Sequence, residues 1–350
     1  MPIKVLIVDD SVFMRGMLKS ALDSVKDIEI VGTAMNGTDG LKKILQLKPD
    51  VATLDVEMPG MTGLEVLDTV MKEAPLPVVM VSTKTQKGAQ ITLDALRKGA
   101  VDCIAKPLGE KSATLQSFRE DVLNAVRAAY ESNRKKIGKN DDRVAPIGGL
   151  VSAPKDTIVA IGISAGGPAT LHKLIPALPA NFPATVITQH MPADFTAPFA
   201  KRLNEEAAMT VREAAEGDVL KPGQVLIAPG SHHLKIAKHV GKLVCRLDNG
   251  PKVSGFRPSV DVLFTSLSEV AGDRTVAIVM TGMGDDGSRG LRLLKQSGAG
   301  TLAQDQDSSI VFGMPKAAAR TGCVDRVVAL SDIPKALLDA AQHLGAVATA

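Results

Sequence analysis

The sequence predicts an α/β protein of two doubly wound units, each a mostly parallel sheet with helices on both faces. Three observations carry this. Short runs rich in Val, Ile and Ala alternate with longer amphipathic stretches, the rhythm of strand and crossover helix. Acidic, hydroxyl and glycine residues gather just after those runs, where such sheets hold their functional side chains. A polar stretch without apolar periodicity, 131–156, separates the two segments that show the rhythm. At 350 residues the chain is long enough for two cores.

Composition narrows the function classes. The chain is 45% hydrophobic and 23% charged, with no Trp and a single Tyr, so its cores are aliphatic and platforms for base stacking are scarce. The net charge of +3 is spread evenly, and no nucleic-acid partner is expected. Cys103, Cys245 and Cys323 are odd in number and far apart, which fits neither a disulfide frame nor a zinc site. The N-terminus enters a strand without a signal peptide, and no apolar run approaches ~18 residues. A cytoplasmic location is expected.

In the first unit, strands are expected at 4–8, 29–34, 51–54, 77–81 and 103–104. Asp9 and Asp10 end the first, Asp55 the third and Ser82 the fourth, while Lys106 follows the fifth. Three converging carboxylates repel one another unless a cation neutralises them, and an all-oxygen set favours Mg²⁺. Lys106 and Ser82 are then placed to steady phosphoryl oxygens. Any one of these aspartates also reads as a helix cap. Together they resemble the receiver domain of two-component response regulators, over 1–130. The resemblance implies a flavodoxin-like fold, Asp55 as phosphoacceptor and Ser82 and Lys106 as the phosphoryl switch. It also implies Mg²⁺ held by Asp9, Asp10, Asp55 and the backbone carbonyl of Glu57. Cys103 stands where many receivers carry an aromatic residue, so a rotating-aromatic switch is not expected.

The segment 131–156, with its basic cluster and scattered Pro and Gly, reads as a flexible connector. Beyond it, strands are expected at 159–163, 184–188, 225–228, 275–280 and 300–302, with an antiparallel hairpin at 233–237 and 243–246 that makes the sheet mixed. Gly162-Ile163-Ser164-Ala165-Gly166-Gly167 follows the first of these strands and precedes a helix opened by Pro168. Glycines there allow a sharp turn, and the helix N-terminus offers N–H donors, the geometry of a nucleophile elbow. A Gly-rich phosphate-binding turn is the other reading, although neither G-x-G-x-x-G nor G-K-[ST] spacing is present. His190 follows the second strand, and Thr281-Gly282-Met283-Gly284-Asp285-Asp286-Gly287-Ser288 follows the fourth. A serine nucleophile needs a base, and the base needs a carboxylate to orient it. The chain order Ser…His…Asp differs from that of α/β-hydrolases, chymotrypsin and subtilisin. His232 and His233 lack ligands at metal spacing; His233 fits either a substrate groove or a structural strand end.

Behind a receiver and a polar connector, the motifs at 162–167, 189–192, 281–287 and Phe256-Arg257-Pro258-Ser259-Val260-Asp261 resemble the chemotaxis protein-glutamate methylesterases, the CheB family, across nearly the whole chain. The resemblance implies a Rossmann-like catalytic unit over 157–350. Ser164 is its nucleophile, His190 its general base and Asp286 its orienting acid, with the N–H groups of Ala165 and Met283 as oxyanion donors. Ala165 replaces a Thr of some members. Asp285 replaces a commoner Asn, which leaves Asp285 as the rival to Asp286. The implied activity is phosphorylation-activated demethylation of glutamyl methyl esters on the cytoplasmic domain of methyl-accepting chemoreceptors. Receptor glutamines are a second substrate for some members, and the ester chemistry needs no cofactor. A chemotaxis histidine kinase is the implied phosphodonor, and the membrane is met only through receptors. The expected coupling is occlusion of the active-site face, relieved by the roughly −1.5 to −2 charge of a phosphoryl group. The rival readings are a receiver-regulated interaction protein with a vestigial triad, and a transcriptional regulator, disfavoured because no basic recognition helix is present.

Overall fold

A computed structural model describes residues 1–83, 85–107, 112–133, 144–148 and 156–348. The chain divides into two compact units, Met1–Gly138 and Lys139–Ala350. The expected connector falls largely outside the described residues. At its start the helix Ser112–Asn133 is still running, and near its end the Ile147 N–H donates to Ala177 O of the second unit at 3.1 Å.

The first unit is a five-stranded parallel sheet of β1 (Ile3–Val8), β2 (Ile28–Ala34), β3 (Val51–Asp55), β4 (Val78–Ser82) and β5 (Asp102–Ala105), in the order β2-β1-β3-β4-β5. Every residue of β3 and β4 is buried, as a strand covered on both faces requires. Local signals set the helix starts. Ser11, Asn36 and Thr62 each accept an N–H from the first turn of the following helix, and Thr62 and Glu65 close a reciprocal capping box. The winding reverses at β1 and β3, which opens a crevice at their carboxyl ends.

The second unit holds a seven-stranded sheet. Its strands are β6 (Ile158–Ile163), β7 (Ala184–Gln189), β8 (Thr210–Glu213), β9 (Gln224–Ile227), β12 (Thr275–Val279), β13 (Gly300–Gln304) and β14 (Arg326–Val328), in the order β14-β13-β12-β6-β7-β9-β8. All its ladders are parallel. The hairpin of β10 (His233–His239) and β11 (Lys242–Asp248) forms a separate antiparallel pair, so the expected mixed sheet is corrected to a parallel sheet with a detached hairpin. β8 and β14 were not expected from the sequence. They are short edge strands that are partly exposed and carry Arg or Glu, so they lack the apolar run that marks the buried ones.

The helix Val260–Ala271 joins this architecture to the site. Its Val260, Leu263, Phe264 and Leu267 are fully buried, each worth roughly 1.5–3 kcal/mol in area removed from water. Its N-terminus presses on β6 at Gly162, where a Cβ would stand 2.2 Å from Val260 Cγ1. Among the described residues no helix is long and apolar enough to cross a membrane.

Because a methyl group at 162 must push Val260 and its helix outward, Gly162→Ala is expected to destabilise the second unit by about 1–3 kcal/mol. Chemical denaturation of the full chain measures this, and an unchanged midpoint would show that Val260 yields without strain.

Candidate active site

Ser164 follows β6 as the chain turns into the helix Gly167–Leu174. Gly166 makes the turn at φ 74, a conformation that disfavours side chains and that lets Ile310 pack directly on its α-carbon. The Ser164 N–H donates to Thr281 O at 2.9 Å and the His190 N–H to Ile163 O at 3.1 Å, so backbone bonds hold the ends of β6, β7 and β12 together. Ser164 Oγ lies 3.0 Å from His190 Nδ1, and His190 Nε2 lies 2.8 Å from Asp286 Oδ2. Relative to a trypsin-type triad the two ring nitrogens exchange places. With Asp286 ionised, Nε2–H donates to the carboxylate and Nδ1 is left to accept the serine proton.

Asp286 is 1% exposed. Besides the imidazole it accepts Ser259 Oγ–H at 2.8 Å, Val260 N–H at 2.7 Å and Asp261 N–H at 3.0 Å. The last two are free N–H groups of a helix start, which favour an anion. Burial pushes the Asp286 carboxyl up, but the hydrogen bond and charge of His190 and those two N–H groups outweigh it and hold the carboxyl below its ordinary value. Asp285 is exposed, so the carboxylate that faces His190 is that of Asp286.

The Ala165 and Met283 N–H groups, the expected oxyanion donors, have no acceptor among the described residues. The turn that carries Met283 is pinned by Gly313 and Met314 N–H donating to Gly282 O at 3.0 and 2.8 Å. Two buried polar residues beside the elbow were given no role by sequence reasoning. Gln189 Nε2 donates to Ser164 O at 3.0 Å and His190 O at 2.9 Å, tying the backbones of Ser164 and His190 together. Thr281 Oγ1 donates to Ala165 O at 2.9 Å and accepts Val311 N–H at 2.9 Å. In the sequence they stand only as members of the 189–192 and 281–287 motifs, each a polar residue at the end of an apolar strand. His233 proves structural: its Nδ1 accepts Ser259 N–H at 3.1 Å and its Nε2–H donates to Pro251 O at 2.9 Å.

In the first unit Asp9, Asp10 and Asp55 bring carboxylate oxygens within 4.8 Å of one another. Asp9 and Asp55 are buried and Asp10 is exposed. Lys106 Nζ donates to Asp55 Oδ2 at 2.7 Å and forms a 3.1 Å ion pair with Asp9 Oδ2, which is buried and has no other hydrogen-bonding partner among the described residues. Burial pushes the Asp55 carboxyl up to about 6, helped by the Asp9 charge and opposed by the Lys106 ammonium. One lysine cannot balance three carboxylates. The oxygen-only donor set and the buried Asp9 oxygen fit a divalent cation such as Mg²⁺. Glu57 stands alongside, its N–H 3.4 Å from Asp55 Oδ1. Ser82 is buried at the end of β4, its carbonyl accepting Lys106 N–H at 2.7 Å. Cys103 is buried, and desolvation pushes its thiol well up, the state of an inert core residue.

Fold and site together give an α/β unit carrying a Ser–His–Asp hydrogen-bond chain, preceded by a receiver-type α/β unit. Comparison with known proteins makes the class specific: residues 159–337 match the family model of the CheB methylesterase and residues 5–116 that of the response regulator receiver domain. The chain belongs to the CheB methylesterase family of carboxylic ester hydrolases. It is 46% identical over 340 residues to a protein-glutamate methylesterase/protein-glutamine glutaminase of Caulobacter vibrioides, covering 97% of this chain and 98% of that one. A protein of the same description from Pyrococcus horikoshii is 41% identical over 345 residues, covering 97% and 94%. The crystal structure of the Thermotoga maritima CheB methylesterase catalytic domain superposes with a TM-score of 0.51 at 41% identity, covering 54% of this chain and 99% of that one.

If Asp286 orients and stabilises the imidazolium, Asp286→Asn lowers kcat by about 10³–10⁴, the loss seen when a triad acid becomes an amide. Asp285→Asn is expected to leave kcat within about two-fold, surface substitutions being nearly neutral. Steady-state ester hydrolysis by the two variants checks this, and a reversed ranking would move the acid to Asp285.

Proposed function

We propose that this protein hydrolyses glutamyl γ-methyl esters on the cytoplasmic domain of methyl-accepting chemoreceptors, and that phosphorylation of Asp55 raises its turnover. The observation that carries the reading is the unbroken contact chain from Ser164 through His190 to Asp286, at 3.0 and 2.8 Å, in a member of this family. Ser164 Oγ attacks the ester carbonyl as His190 Nδ1 takes its proton. The oxyanion is received by the Ala165 and Met283 N–H groups, each such donor being worth about 10²–10³ in rate. His190 returns the proton to the departing methoxide, methanol leaves, and Ser164 is held as a glutamyl ester. Water, deprotonated by His190, then attacks this acyl-enzyme and frees the glutamate and the serine. A glutamine side chain enters the same cycle with ammonia as the leaving group, the second activity named in the relatives.

In the receiver the Asp55 carboxylate accepts a phosphoryl group from a phosphohistidine kinase of the chemotaxis type, with Lys106 and Ser82 binding its oxygens. Asp9, Asp10, Asp55 and the Glu57 carbonyl would hold Mg²⁺, which when bound neutralises charge on the phosphoryl oxygens. The protein acts from the cytoplasm and meets the membrane only through its receptors.

The test is methanol release from a methylated receptor fragment, with and without a small phosphodonor and Mg²⁺. Release is expected to rise with the donor, to lose that rise in EDTA or in Asp55→Asn, and to vanish in Ser164→Ala. Receptor binding without release under every condition would replace the enzyme by an interaction protein.

A further inference from the structure

One contact of the general base lies outside the triad. The His190 ring is stacked on Phe256 with centroids 3.8 Å apart and planes 10° from parallel. Aromatic pairs usually sit about 4.5–7 Å apart, offset or edge-on, so this is a close, face-to-face contact. It is also firmly built. Phe256 closes a two-residue turn in which its N–H and carbonyl both pair with Val253, at 2.9 and 3.0 Å, around Ser254 and Gly255 at φ 52 and 83. Arg257 Nη1 donates to Asn249 O and Gly250 O at 3.0 Å each. Buried His233 clasps both ends of the loop through Pro251 O and the Ser259 N–H. Ser259 then donates to Asp286. One segment, 249–261, therefore supplies the aromatic face against the base and the cradle under its carboxylate.

The stacking has a chemical consequence that packing alone lacks. The face of a benzene ring is electronegative and attracts a cation far more than a neutral ring. His190 is a neutral imidazole while substrate binds and an imidazolium once Ser164 has given up its proton. An interaction that strengthens only as charge develops lowers the barrier without tightening substrate binding. We infer that Phe256 is a positioning residue that stabilises the imidazolium form of His190 through its ring face. It acts through His190, whose ring it backs, and takes no proton itself. The inference rests on the Ser164–His190–Asp286 reading above and adds a fourth participant to it.

The experiment measures kcat and KM for methanol release from methylated receptor fragment by the full chain, comparing wild type, Phe256→Leu, Phe256→Tyr and Ser164→Ala. Leu fills similar volume without a π face. Phe256→Leu is expected to lower kcat about 3- to 30-fold with KM within about two-fold, and Phe256→Tyr to restore kcat to within about two-fold. In a second series, phenylalanines bearing one to several ring fluorines at 256 keep the shape while draining the face of negative charge. There kcat falls stepwise with fluorine number. A wild-type kcat in Phe256→Leu, a loss confined to KM, or a flat fluorination series would each overturn the inference while leaving the triad standing. Full turnover in Ser164→Ala would instead overturn the triad reading itself.

Discussion

The catalytic unit is organised around one buried negative charge. A carboxylate taken out of water is costly unless its lone pairs are filled, and Asp286 is almost wholly buried with four donors around it. Two are main-chain N–H groups at the start of the helix Val260–Ala271, so that helix must approach the turn after β12 within hydrogen-bond distance. The approach is possible only because Gly162, in the middle of the sheet, offers no Cβ to Val260. A fully buried apolar face of the same helix supplies the free energy that holds it there. Charge placement, helix docking and sheet packing are thus one constraint seen from three sides.

Both units exploit the same geometric rule and resolve the charge differently. At the end of β6, β7 and β12 the Asp286 carboxylate meets one imidazole and a helix start, with its lone pairs filled from within the protein. At the ends of β1 and β3 three carboxylates, Asp9, Asp10 and Asp55, gather around one ammonium, and burial, helped by the Asp9 charge and opposed by Lys106, pushes the Asp55 carboxyl up to about 6. Under the proposed function, the closed arrangement keeps His190 oriented, and the open one leaves room for a cation and a phosphoryl group.

Rigidity around the base comes from side chains with no chemical step of their own. Gln189 ties the backbones of Ser164 and His190, Thr281 ties the elbow to the 311 strand-like segment, and His233 closes the loop that carries Phe256. Each is buried and hydrogen-bonded, Gln189 through its Nε2, which favours one conformation of the surrounding loops. The backbones of Ser164 and His190 are thereby held with the two side chains 3.0 Å apart, the reach that the proposed proton transfer needs.

Much of this was legible in the sequence for a plain reason: in a doubly wound sheet, function collects where apolar runs stop. Asp55 ends a strand, Asp9, Lys106, Ser164 and His190 each stand just past one, and strands buried on both faces announce themselves by composition. The sequence by itself therefore determined the two α/β units, their functional ends and the family motifs. It placed the orienting acid at Asp286 only through the family resemblance and left Asp285 as the rival, because adjacent residues in a glycine turn differ only in which way the folded turn faces. It did not assign His233, because its partners, Pro251 and Ser259, are distant in the chain. It missed β8 and β14, whose short, polar sequences become strands only because a sheet edge is there to pair with. Nor did it show Phe256 on His190, a contact between loops 66 residues apart in number that exists only once the helix Val260–Ala271 is docked. Those decisions belong to the tertiary structure, because they depend on distances between segments, and no local pattern encodes a distance.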